Sequence, residues 1–143
     1  MVIQSISELQ DHLAQYEYLA DRTLATTVYL GLKLNKPILL EGEAGVGKTE
    51  VAKALAEVLA TDLIRLQCYE GLDINHAVYE WNYPRQMLYI RMHDAGQGNR
   101  APDSFTDIFG TDFLIKRPLL QAIENARERP PVLLIDEIDR SYS

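Results

Sequence analysis

The sequence predicts an α/β fold: a parallel sheet with flanking helices. Three observations point there. An apolar run at residues 38–40 ("ILL") stops at a glycine-rich loop that leads directly into a helical pattern. A second apolar run, "LIRLQC" at residues 63–68, follows that helix. A third, "VLLI" at residues 132–135, ends in two acidic side chains. A β–loop–α–β order implies parallel strands joined by a crossover helix.

The elements follow in order. Ser5 and Glu8 match a capping box ahead of Leu9 and Leu13, so a helix starts there. A second helical pattern covers about residues 19–34, with Leu24, Val28 and Leu32 on one face. Asn35-Lys36-Pro37 breaks it, and Pro37 is tolerated as the first residue of a strand over 38–40. The loop runs from Gly42 to Gly47, and Val51, Ala52, Leu55, Ala56 and Leu59 then repeat at helical spacing. The stretch 77–94 has helical character around residues 85–92, and residues 95–104 form a polar loop by composition. Pro118 opens a helix with Leu119, Leu120, Ile123 and Ala126 on one side, and Pro130-Pro131 ends it. The continuous apolar run 132–135 suits a strand buried on both faces.

Composition narrows the function. The 143 residues fit one domain, and 47% hydrophobic with 24% charged is ordinary for a soluble globular protein. No run approaches the roughly eighteen apolar residues of a membrane span. The N-terminus lacks the basic start and long apolar core of a secretory signal. Cys68 is the single cysteine, which suits a reducing cytosol, and the three histidines show no metal-ligand spacing. A net charge of −7 without a Lys/Arg cluster argues against a nucleic-acid-coating surface.

Gly42, Gly47, Lys48 and Thr49 match G-x-x-x-x-G-K-[ST], the P-loop pattern. Glycines let the backbone turn tightly enough to aim several N–H groups at one anion, and the following helix points its positive end there. The predicted nucleotide-binding segment is Gly42, Glu43, Ala44, Gly45, Val46, Gly47, Lys48, Thr49 and Glu50. Lys48 would neutralise β- and γ-phosphate charge, and the Thr49 hydroxyl would coordinate Mg²⁺. At the tip of the last strand, Asp136 would hold Mg²⁺ through its water shell and Glu137 would polarise a water for attack. Kinases need no such glutamate, so the acidic pair favours hydrolysis over transfer. Lys48 and Glu137 are therefore the predicted catalytic residues, and Thr49 and Asp136 the predicted metal ligands. Switch-type GTPases fit less well: they need a downstream Asn-Lys-x-Asp reader, whereas "NKPI" at 35–38 lies upstream with Ile in place of Asp. The aromatics Tyr79, Trp81 and Tyr83 suit either a contact with a neighbouring subunit or client or, the reading preferred here, packing around a helix start, and Lys116/Arg117 read as a solvated basic corner.

Residues 39–56 ("LLEGEAGVGKTEVAKALA") and 131–141 ("PVLLIDEIDRS") resemble the AAA+ ATPases, and within them the MoxR group. Residues 67–91 resemble its CoxD-like branch. The resemblance implies a P-loop NTPase fold, ATP and Mg²⁺ as cofactors, and a cytoplasmic homo-oligomer, usually a hexameric ring. It also implies a von Willebrand factor A-domain partner and a client metalloenzyme of the carbon monoxide dehydrogenase type. Lys48 and Thr49 match the Walker A pair, and Asp136 and Glu137 match Walker B. Arg140 matches an arginine of the same segment and is given no catalytic role.

The same resemblance predicts a sheet ordered 5-1-4-3-2, of which residues 1–143 hold strands one to three. On this reading the chain is the N-terminal part of one AAA+ core domain. The sensor strand, arginine finger and helical lid are not in it, and the fold is incomplete at the C-terminus. Residues 1–143 alone are then expected to be marginally folded and inactive. The alternative expectation is a truncated, catalytically inactive fragment with at most a nucleotide-binding or subunit-interaction role.

Overall fold

The computed structural model describes residues 3–43, 45, 47–96, 108–126 and 129–141. Three helices form one side. The first, α1 (Ile6–Gln15), starts where the Ser5 hydroxyl accepts the Glu8 N–H at 3.1 Å. The reciprocal arm is shifted by one residue, since the Glu8 carboxylate takes the Gln4 N–H at 2.7 Å. The second, α2 (Arg22–Leu34), is capped by Asp21, whose carboxylate accepts the Leu24 N–H at 2.7 Å. That cap places its start three residues later than the periodicity from residue 19 predicts, and leaves Leu19 87% exposed. Asn35 closes α2 in the left-handed region (φ 51°), which asparagine tolerates better than most residues. The third, α3 (Lys48–Leu59), begins at Gly47. Leu9, Leu13, Val28, Val51, Ala54, Leu55 and Val58 from the three helices bury a common core with Ile3.

The sheet is narrower than expected. Strand β1 (Leu63–Gln67) pairs in parallel with the last strand, β4 (Val132–Asp136), in the register Leu63↔Val132 through Gln67↔Asp136. The ladder continues past both ends, with Val132 N–H to Asp62 O and Cys68 N–H to Asp136 O, each at 2.9 Å. Helix α3 packs on one face, with Val132 joining its core. On the other face Leu66 and Cys68 meet Ala77 of a short helix α4 (Ile74–Val78) and Leu119 of α6 (Pro118–Asn125). This is a three-layer α/β/α arrangement with parallel strands at its centre.

The predicted strand at 38–40 is not a strand. A strand exists by pairing, and among the described residues no strand pairs with this segment. Instead Ile38 and Leu40 pack on the helical core while Leu39 is 70% exposed. Ile38 approaches α2 so closely that a Cβ on Gly31 would lie 2.7 Å from its side chain. Two further departures concern the middle of the chain. Residues Tyr79–Trp81 (β2) pair antiparallel with Leu114–Lys116 (β3), a ribbon not expected from the sequence. The basic corner is not simply solvated: Lys116 pairs with Glu124 at 2.7 Å and Arg117 pairs with Glu80. Helix α5 (Tyr83–Gly96) contains the expected helical stretch and accepts Pro84 in its first turn, where no N–H is missed. Most of the polar loop expected at 95–104 lies outside the described residues. Helix α6 starts at Pro118 as expected, but Ile123 is 67% exposed, so its apolar side is only partly covered.

Candidate active site

The loop before α3 has the backbone its glycines were chosen for. Gly45 and Gly47 both sit at φ +86°, a conformation that L side chains rarely adopt. Gly47 turns the chain into α3, so the 12-residue helix begins at the loop's mouth with its positive end facing it. Ala44 and Val46 lie outside the described residues. The Lys48 ammonium folds back onto the loop, donating to the Glu43 carbonyl at 2.6 Å and to the Gly42 carbonyl. Glu50 sits differently. Its N–H is already taken by Gly47 O at 3.1 Å, and its carboxylate turns along the helix surface to Lys53 at 2.6 Å.

Thr49 and Asp136 come together. The threonine hydroxyl, in the first turn of α3, lies 3.4 Å from Oδ2 of Asp136 at the tip of β4. The two residues are 87 positions apart in sequence, and the contact exists because α3 packs against β4. Two neighbouring oxygen ligands of an octahedral Mg²⁺ stand ~3 Å apart, given metal–oxygen distances near ~2.1 Å. A hydroxyl and a carboxylate at 3.4 Å therefore suit that ion with little adjustment. Among the described residues no cluster of three or more His, Cys, Asp or Glu side chains is set up to hold a metal. The donor set fits an ion that keeps several waters and phosphate oxygens, as Mg²⁺ does.

Glu137 follows Asp136 with φ +55°, in the left-handed region, an uncommon place for a non-glycine residue. The turn is held by Arg140 N–H to Glu137 O at 3.0 Å, and the Glu137 carboxylate pairs with the Arg140 guanidinium at 3.1 Å. Arg140 is 65% exposed, so this pair is readily opened to solvent.

Sequence reasoning missed Arg65. Its guanidinium donates to Oδ2 of Asp136 at 2.6 Å, the same oxygen that faces Thr49. In the parallel register Arg65 sits opposite Leu134, two residues before Asp136, so both side chains leave the same face of the sheet. The available signal was a charged residue in the middle of an apolar strand. Cys68, one residue past β1, is buried, and its thiol is pushed above the ordinary range by burial and then by Asp136 and Asp139.

The model of the AAA family, "ATPase family associated with various cellular activities", matches residues 38–143, the span that holds the loop, both strands and the acidic pair. The chain belongs to the AAA ATPase family. Its fold is accordingly that of a P-loop NTPase. Among curated proteins, the AAA chain is 37% identical over 51 residues to Midasin of Giardia intestinalis, a match covering 36% of this chain and 1% of that protein. The chain thus spans a very small part of that relative's length. No solved structure matches it. Neither the family match nor the Midasin match is specific to the MoxR group or its CoxD-like branch.

Proposed function

We propose that this AAA chain binds ATP together with Mg²⁺ and hydrolyses it. The observation that carries this reading is the 3.4 Å approach of the Thr49 hydroxyl to the Asp136 carboxylate, beside a glycine loop that opens into α3. Main-chain N–H groups of residues 42–48 and the positive end of α3 bind the phosphates. Lys48 exchanges its two loop carbonyls for phosphate oxygens, a stronger charge-assisted pairing. Thr49 and Asp136 hold the metal. When bound, Mg²⁺ neutralises charge on the β- and γ-phosphates. Glu137 accepts a proton from the attacking water, once its carboxylate leaves Arg140.

The finer reading is a MoxR-type remodelling ATPase of the CoxD-like branch. It would be cytoplasmic, would assemble into a hexameric ring, and would work with a von Willebrand factor A-domain partner on a molybdenum-containing client. The stretch 67–91 supports that branch by resemblance.

Glu137→Gln in the full-length protein tests the mechanism. ATP binding should survive while turnover falls by about 10²- to 10⁴-fold, the usual contribution of a general base; unchanged turnover removes Glu137 from the reaction. A second reading has one observation in its favour, the segment 38–40 lying outside any ladder. On that reading the chain is a catalytically inactive subunit that associates with complete homologues. Adding it to an intact homologous ring would then change assembly or turnover, and no change in either would reject it.

A further inference from the structure

We propose that Arg65 is a positioning residue that holds the carboxylate of Asp136 while the magnesium site is empty and is displaced when the ion enters. The inference rests on the nucleotide-site reading above. Three observations carry it. The Arg65 Nη2 lies 2.6 Å from Oδ2 of Asp136, and that same oxygen lies 3.4 Å from the Thr49 hydroxyl, so guanidinium and metal would compete for one acceptor. The two partners differ in exposure: the Arg65 side chain is 52% exposed and that of Asp136 only 19%. The arginine therefore swings into water at little cost, whereas the carboxylate stays in place. Finally, Arg65 is fixed to β1 and Asp136 to β4 by a continuous ladder, so the pair is set by the sheet and not by a loose loop.

The electrostatics give the direction. A partly buried carboxylate with no metal needs a cation beside it, and Arg65 supplies one. A dication arriving at the same oxygen meets a like charge and has to expel it. Arg65 thereby sets how much magnesium is needed before the site fills, without touching the nucleotide.

The test measures the Mg²⁺ concentration that half-saturates binding of a fluorescent ATP analogue to the full-length protein, alongside binding of the analogue in EDTA. Arg65→Gln should lower the half-saturating Mg²⁺ concentration about two- to fivefold, the scale of a partly exposed ion pair, and leave metal-free binding unchanged. Arg65→Lys keeps the charge and should stay near the parent value, which also controls for folding. An unchanged or raised requirement in Arg65→Gln overturns the proposal. The underlying reading fails differently: if the parent protein shows no magnesium dependence, or Lys48→Ala binds the analogue equally well, the nucleotide site itself is rejected and the role of Arg65 with it.

Discussion

Glu8 shows how one side chain ties stability to pH. The Gln4 N–H holds its carboxyl below the ordinary value of 4.5, against the desolvation that raises it; the Ser5 backbone N–H and His12 act in the same direction as Gln4. A lowered folded-state value means the stabilisation is complete above about 4.5 and fades as pH falls through the lowered value. Glu8→Gln is therefore expected to reduce the urea midpoint at pH 7 and to leave it unchanged near pH 2, where both side chains are neutral. At this scale much of the candidate site was legible. Gly42, Gly47, Lys48, Thr49, Asp136 and Glu137 are residue types whose chemistry and spacing carry the roles proposed for them. Arg65 was not legible, because its meaning depends on a partner 71 residues away that only the strand register brings near. The left-handed backbone of Glu137 was equally hidden, since no glycine or asparagine marks it.

Local chemistry predicts single elements well where one residue decides them. Ser5 begins α1, Gly47 begins α3 and Pro118 begins α6. Elements that depend on distant partners were missed or misjudged. The ribbon β2–β3 has three residues per strand, too few to show alternation, and its halves are separated by all of α5. Helix α5 itself leaves Met87, Leu88 and Met92 exposed and buries Gln86, so its periodicity is weak. The apolar run 38–40 carried a strand's composition but pairs with no strand among the described residues. Among the helices, the packing of α1, α2 and α3 depends on Leu9, Leu13 and Val28, the largest fully buried side chains among the described residues. Leu13→Ala should cost about 2–5 kcal/mol by chemical denaturation. A loss below about 1 kcal/mol would mean that the three helices are not one packed unit.

At the level of the molecule, the parallel sheet has two strands among the described residues, and each presents one edge that no described residue pairs. Such edges recruit further strands. Ile135 lies on β4 and is 43% exposed. Ile135→Lys is expected to reduce self-association of the chain, measured by static light scattering across a concentration series; equal scattering would place any self-association elsewhere. The three-layer plan was legible from the alternation of apolar runs and helical patterns. The width of the sheet was not, because width is a count of pairings and a pairing belongs to two segments at once.

The bond from the Cys68 amide to the Asp136 carbonyl has a use beyond the architecture. It is the last rung of the ladder under the acidic tip, so its proton is released to solvent only when β1 and β4 part. In deuterated water, the lifetime of that one amide reports whether the carboxylate's foundation is intact.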